Sequence, residues 1–467
     1  MPKTLIPFPQ NGSGAKPSLA PVVAIIGAGC IGLSLAWRLA AAGCAVDVFD
    51  QGSSGRGATH AAAGMLAAAV ETEPGEEALL PLTLDSQRRW PAFAAELEAY
   101  SGVAVDLRAE GTMQVALTRD DVEVLRSGYE FQRALGLNVA WLTGAQVKER
   151  EPWLNPRAAA GVLGADDGQV DNRKLAVALR VAALKAGARL HEDTSVEALS
   201  ATAGRADGVV VAGVVRPADI VVLAAGAWSR QLAGLPEGAV PPVRPVKGQM
   251  LSLRMDPGQP LLRHVVWPPK CYLVPRLDGR LIVGATTEEK GWDDRLTAGG
   301  VLALLEAAWR ALPGVEELPI EEMWTGFRPG SRDDAPILGP VPGVGGLVMA
   351  TGHHRNGILL TPGTADLLAD HILTGRVDPL LAPFGIGRFE DRAALKGAAG
   401  MITVNGKIRD HIADLFLPAL LDEAGVALGA RGIAVAVNGT VVPRARWAER
   451  AVADGDAIEI VKVLQGG

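Results

Sequence analysis

PVVAIIGAGCIGLSLAWRLAAAG, residues 21–43, followed by AVDVFD, residues 45–50, decides the fold. A run of β-branched residues, a glycine turn and an Ala/Leu stretch closed by Gly43 read as strand, turn and helix, and AVDVFD reads as a second strand. The glycines of GAGCIG can each be given a physical reason: Gly27 permits the tight turn, Gly29 lets the backbone approach a pyrophosphate, and Gly32 allows helix and strand to pack closely. Ile31 lies in the same turn, where the helix N-terminus faces the phosphates. Asp50 closes the second strand about 20 residues on, where an acidic group can accept both ribose hydroxyls. Strand, turn, helix and acid together predict a site for the ADP half of a dinucleotide, leaving NAD and FAD open.

Around this motif the composition is that of a large globular α/β protein: 467 residues, 48% hydrophobic, 21% charged, with 56 Gly and 31 Pro. At roughly 100–200 residues per domain the length suggests two to four domains and excludes a disordered or collagen-like chain. Fifty-two acidic against 45 basic residues give a net charge of −7, which repels polyphosphate, so no nucleic-acid partner is expected. Cys30, Cys44 and Cys271 have neither CxxC spacing nor a metal quartet, and are read as small buried hydrophobes; no metal is expected. Residues 1–20 are rich in Pro, Gly and Ser without a signal-peptide core and read as a flexible tail, which places the protein in the cytoplasm. The most apolar run, Val22 to Trp37, is shorter than the ~20 residues that span a bilayer, so no membrane anchor is expected.

Further along, residues 86–159 mix amphipathic helices with short strands such as GTMQVAL (111–117), whereas KLAVALRVAALKAGA (174–188) returns to helix. HVVWPPKCYLVPRLDGRLIVGATT (264–287) alternates like a hairpin turned at Asp278-Gly279, which predicts antiparallel strands rather than further parallel winding. A second domain is therefore expected as an insertion in the first. GIGRFEDRAALKGAAG (385–400) lacks a hydrophobic period and reads as a linker. From Met401 the pattern restarts: ITVNGKI is a hairpin with an Asn-Gly turn, a short helix follows, IAVAVNGTVVP is a second hairpin, and IEIVKVL is a last strand. That order predicts a β-grasp domain.

SSGRGATHAAAGML (53–66), VVLAAGAWS (221–229) and GHHRNGILLTPGTA (352–365) resemble the FAD-contacting segments of the D-amino-acid oxidase and glycine oxidase flavoenzyme family. The resemblance implies FAD, with Arg56, Thr59, Ala62, Ala63, Gly64 and Met65 along the flavin after the second strand. It also implies Val196 and Gly226 beside the adenosine half, and Gly352 through Thr361 around the isoalloxazine, including His354, Arg355, Asn356, Gly357, Ile358 and Leu359. RPVKGQMLSL (244–253), KCYLVPRLDGRLIVGATTEE (270–289) and EMWTGFRPGSRDDAPILGP (322–340) are similar to the thiamine-pathway glycine oxidase branch. This implies that Arg328 clamps a substrate carboxylate, that Tyr272 holds its hydroxyl near it, and that Arg355 borders the flavin and the pocket mouth. A planar guanidinium suits such a paired contact better than an ammonium. His353 and His354 are adjacent, point differently and lack a carboxylate at ligand spacing, so packing or flavin-edge contact is expected of them. The implied reaction oxidises glycine with oxygen as acceptor; sarcosine or a D-amino acid stays open as substrate.

MITVNGK (401–407), IAVAVNGTVVPRARW (433–447) and DGDAIEIVKVLQGG (454–467), with Gly466-Gly467 at the end, resemble the thiamine sulfur-carrier family. The resemblance implies adenylation of the Gly467 carboxylate by an E1-like enzyme, conversion to a thiocarboxylate, and delivery to a thiazole synthase. A carrier with an inert flavin domain is the non-enzymatic alternative, and a homo-oligomer stays open. The expected class is thus α/β: a Rossmann-like FAD-binding domain (about 21–85, 160–235 and 335–384) with an inserted antiparallel-sheet substrate domain (about 86–159 and 236–334). A linker (385–400) and a C-terminal ubiquitin-like β-grasp domain (401–467) complete it.

Overall fold

The computed structural model describes residues 20–389, 401–410, 416–423, 433–438, 440–453 and 456–462. All but the last residue of the expected tail, most of the linker and Gly467 lie outside them. The chain divides into two compact units at Ile386.

In the first unit, Val22–Ile26 lies inside a six-stranded sheet. Its neighbours are Ala45–Phe49 and Ile220–Leu223, both parallel, with Ile26 level with Phe49 on one side and Leu223 on the other. Arg189–His191 extends one edge, and Leu347–Thr351 followed by antiparallel Ile337–Pro340 extends the other. The VVAII strand needs no alternation because helices cover the sheet and nearly all its side chains are buried. Gly27 turns the chain at φ +107°, a backbone that disfavours a side chain. A Cβ on Gly32 would stand 1.9 Å from the Gly27 carbonyl oxygen, so helix Cys30–Ala41 leaves the turn close against it.

That helix is buried along almost its whole length among Leu80–Ser101, Asn172–Lys185 and Thr361–Thr374. Trp90, Phe93 and Leu97 form the inward stripe of Leu80–Ser101, and Trp37 and Trp90 each meet Phe93 edge to face at 5.6 Å. The expected division at residue 86 falls inside this helix. Its bulky stripe belongs to the nucleotide-binding core, so the layer changes only beyond Ser101.

An eight-stranded sheet forms the second layer, in the order Ile320–Gly330, Arg244–Arg254, Arg280–Gly284, Tyr272–Pro275, Val265–Trp267, Thr112–Ala116, Ala160–Gly164 and Val139–Thr143. Pairing is antiparallel except between Val265–Trp267 and Thr112–Ala116. The hairpin read from the sequence is present, with Leu273 opposite Val283. Helix Ala298–Ala311 covers one face, burying Leu304 and Ala308 on Leu251, Leu273 and Val283. Ala160–Gly164 belongs to this sheet rather than to the nucleotide-binding layer, since its partners are the strands on either side of it.

The second unit holds a five-stranded sheet ordered Lys407–Asp410, Met401–Val404, Ala457–Lys462, Ile433–Val437 and Thr440–Val441. Met401–Val404 and Ala457–Lys462 run parallel and the rest antiparallel. Asn405 and Gly406 both take positive φ, the backbone of a two-residue hairpin turn. Helix Leu417–Glu423 packs Leu417, Leu420 and Leu421 on Ile402, Val435 and Ile458. Sheet, helix and order are those of a β-grasp. Among the described residues no helix is long and apolar enough to cross a membrane.

Trp90 links the two halves of the nucleotide-binding core, since its Nε1 donates to the Leu359 carbonyl at 2.9 Å. Trp90→Ala should destabilise the first unit by about 3–5 kcal/mol, and Trp90→Phe by less. Denaturant unfolding followed by tryptophan fluorescence checks this, and a loss within experimental error for the alanine variant contradicts it.

Candidate active site

One cavity of about 880 Å³ runs from the Gly27 turn to the face of the eight-stranded sheet. Gly27, Gly29 and Ile31 line its entry beside Asp50 and Val196, with Gly226 close by. The Asp50 carboxylate accepts from the Ala28 amide at 2.7 Å and the Gly52 amide at 2.9 Å, tying the glycine turn to the second strand. Burial raises its pKa, and the two amides oppose that. Thr59 receives the Cys30 amide at 3.0 Å, so its hydroxyl completes the start of the first helix while facing the cavity.

Arg56, Thr59, Ala62, Ala63, Gly64 and Met65 form the middle wall. Gly64 adopts φ +69°, and a Cβ there would stand 2.0 Å from the Val170 carbonyl oxygen. Arg276, only 6% exposed, holds this loop. Its Nη2 donates to the Ala63 carbonyl at 2.6 Å and to Asn172 Oδ1 at 2.9 Å, and its Nη1 to the Val170 carbonyl at 2.8 Å and Gln169 Oε1 at 3.0 Å. Asn172 in turn donates to the carbonyls of Thr59 and His60. Burial lowers the Arg276 pKa to about 10, and the nearby Asp171 opposes this; the group stays charged near neutral pH.

The far end is built on the eight-stranded sheet. Arg328 lies over Gly248 of the neighbouring strand, where a Cβ would come within 2.7 Å of its Nη1, and that nitrogen donates to the Thr286 carbonyl at 3.1 Å. Tyr272 stacks on Trp267 at 5.9 Å, with its ring in space that a Cβ on Gly284 would fill. Burial raises the Tyr272 pKa, partly offset by Arg328, so the phenol stays protonated and able to donate. Trp267 Nε1 points at Met65 Sδ, 3.1 Å away, joining this end to the middle wall.

His354, Arg355, Gly357 and Ile358 close the cavity from the Leu347–Thr351 side. Burial, then Arg328, Arg355 and Arg244, press the His354 imidazole down to about 3; burial alone does so for His353, whose Nε2 meets the Thr364 hydroxyl. Both rings are neutral at physiological pH. Arg355 lines the cavity, but its Nη2 lies 2.6 Å from both carboxylate oxygens of Glu76. Six positions expected along the cofactor are not part of the lining, Leu360 and Thr361 among them, both fully buried. Gly32 is the helix-to-strand contact, Gly352 turns the chain beside Ile337, Asn356 is buried behind the wall, and Leu359 is core.

A family model described as "FAD dependent oxidoreductase" matches residues 23–371, and one for the "ThiS family" matches residues 402–467. The chain belongs to the FAD dependent oxidoreductases, joined to a ThiS-family domain. This oxidoreductase is 39% identical over 369 residues to a glycine oxidase of Geobacillus kaustophilus, covering 78% of this chain and 96% of that protein. It is 40% identical over 374 residues to a Synechocystis protein named "Bifunctional protein ThiO/ThiG", covering 79% of this chain and 54% of that longer protein. Among solved structures, the Geobacillus glycine oxidase superposes with TM-score 0.72 at 38% identity, over 79% of this chain and 98% of that one. An iminodiacetate oxidase from Chelativorans gives 0.69 at 30%, over 78% and 98%.

The cavity of the oxidoreductase suits FAD on its own geometry: a turn bare of side chains at Gly27 and Gly29, an acid at the second strand and one unbroken space reaching Tyr272 and Arg328. Residues beyond those read from the sequence also shape it, notably Glu71, Arg276, Met250 and Trp267. Glu71 is the one charge ending the small apolar run from Ala61, a signal that could have marked it.

Since Arg276 satisfies carbonyls on both sides of the Gly64 loop, Arg276→Met leaves them buried and unpaired. FAD affinity should fall about tenfold or more, with Arg276→Lys intermediate. Fluorescence titration of the apoprotein with FAD measures it, and unchanged affinity in the methionine variant removes Arg276 from this role.

Proposed function

We propose that the oxidoreductase oxidises glycine, and that its C-terminal unit carries sulfur as a thiocarboxylate on Gly467. The observation that carries the first part is Arg328, braced over Gly248 beside a protonated Tyr272 at the end of the cavity. The relatives named glycine oxidase support the choice of substrate. Overall, glycine, oxygen and water would give glyoxylate, ammonia and hydrogen peroxide.

In this reading the planar fork of Arg328 takes the substrate carboxylate in a charge-assisted pair, and the Tyr272 hydroxyl donates to the same group. Met250 and Trp267 wall the space beside it, which favours a small α-substituent. Bound FAD supplies the two-electron acceptor for the α-carbon's hydrogen. Side chains of the protein therefore orient the α-carbon and exclude water rather than perform the redox step. His353 and His354, with their pKa values pressed down to about 3, hold a proton too weakly to take one from an ammonium, so the amine enters unprotonated. Sarcosine differs from glycine by one N-methyl group, a contrast a pocket resolves by only ~1–3 kcal/mol, so some overlap is expected.

For the C-terminal unit, the ThiS-family match and the β-grasp order support the carrier reading. An E1-like adenylating enzyme and a thiazole synthase are the proposed partners. Incubation with an adenylating partner, ATP and a sulfur donor should add one oxygen-to-sulfur exchange to the intact mass; no gain under those conditions counts against it.

Two measurements test the oxidase. Arg328→Ala should lose about 2–5 kcal/mol in kcat/KM for glycine, chiefly through KM, in a hydrogen peroxide assay; an unchanged KM dismisses the clamp. Glu71 supplies a pH signature. Burial pushes its carboxyl up to about 8 against the pull of Arg355, so it is neutral below that pH and gains a negative charge above it. The wild-type glycine KM should climb relative to that of Glu71→Gln as pH passes about 8; identical profiles would show that Glu71 is not felt by the substrate.

A further inference from the structure

Arg355 is the second arginine on the inner wall of the substrate end, and its surroundings differ from those of Arg328. Its Nη2 lies 2.6 Å from both carboxylate oxygens of Glu76 and donates to the Glu71 carbonyl at 3.0 Å. Its Nε stands 3.6 Å from Glu71 Oε2. Both acids come from the irregular segment between Met65–Leu66 and helix Leu80–Ser101, and the Glu73 amide donates to Glu76 Oε2 at 3.2 Å. The Arg355 and Glu76 side chains are only 26% and 23% exposed, so water screens the pair less than a surface one. Arg328, by contrast, has no carboxylate in ion-pair contact among the described residues, and keeps its charge for the cavity.

We propose that Glu76 is a specificity-determining residue. By occupying the Arg355 guanidinium it withholds the pocket's second inner cation, so the site takes amino acids with one carboxylate and turns away those bearing a second anionic arm. The inference rests on reading Arg328 as the carboxylate clamp. With Arg328 holding the first carboxylate, a second one at Arg355 would either displace Glu76 or crowd beside it around a single positive charge. Lys270 at the rim does not replace it: it is exposed, and an ammonium on a flexible stem lacks the fixed fork that pairs with carboxylates. The selectivity is then achieved without a steric block, by an ion pair internal to the protein.

The test uses FAD-bound enzyme and two pairs of ligands. Iminodiacetate and sarcosine share a substituted glycine nitrogen and differ in a carboxylate, and their kcat/KM ratio is read from hydrogen peroxide release. Malonate and acetate are inert, and their dissociation constants are read from shifts in flavin absorbance. Glu76→Gln should raise both the iminodiacetate-to-sarcosine ratio and the relative affinity for malonate by about tenfold. Adding Arg355→Met to that variant should reverse the gain. Unchanged ratios in both Glu76→Gln and Glu76→Ala, with flavin still bound, overturn the proposal, as does a wild type that already prefers iminodiacetate. A wild type that oxidises neither glycine nor sarcosine sinks the oxidase reading instead, and the malonate and acetate titrations still decide the role of Glu76.

Discussion

A buried guanidinium bonded to backbone carbonyls is the contact on which the active end of the first unit depends. Arg276 follows directly on the strand that carries Tyr272, and it bonds the carbonyls of Ala63 and Val170 and the side chains of Gln169 and Asn172. One side chain from the substrate sheet thereby holds the loop that runs along the cofactor cavity. Removing a cation from water is costly unless its donors are satisfied, and here four neutral acceptors meet the two terminal nitrogens. Those acceptors come from segments far apart in sequence, so the bonding forms only when both layers have docked. The distance from the Gly64 loop to Tyr272 is thus set by hydrogen bonding as well as by packing.

The electrostatics of the cavity follow from which charges are paired inside the protein. Arg328 has a carbonyl and a phenol for neighbours, Arg355 has carboxylates, and the two histidines beside them are neutral. A pocket lined by several cationic residue types therefore presents a much smaller usable charge than its composition suggests. Glu71 stands within electrostatic reach of both Arg355 and Tyr272 and is held largely protonated near neutrality by its burial.

Much of this was legible because local patterns and global packing agree in the glycine turn, in the alternation around Asp278-Gly279 and in the Asn-Gly hairpin of the second unit. Each of those signals is decided within about ten residues of chain, the range over which turn chemistry and periodicity act. The role of Arg276 could not be read that way, since it depends on Ala63, Gln169, Val170 and Asn172 arriving from elsewhere. Arg355 was legible as a wall residue but not as one neutralised by Glu76, which sits in a segment with no period at all. The helix around Trp90 misled for the opposite reason: it looks amphipathic in isolation, and only Trp37, docked edge to face on Phe93, shows which layer its stripe belongs to.

Room for the substrate end comes from missing side chains in the floor of the sheet. Gly248 and Gly284 sit on strands inside the sheet, Gly248 level with Gly326 on one neighbour and Gly284 level with Tyr272 on another. The void they leave is therefore framed by sheet backbone rather than by a loop. A single methyl added at either place would push the Arg328 guanidinium or the Tyr272 ring from its position over the floor. On the proposed role of Glu76, selectivity would be reset through the irregular 67–79 stretch, where no strand register has to be kept, rather than through the floor itself.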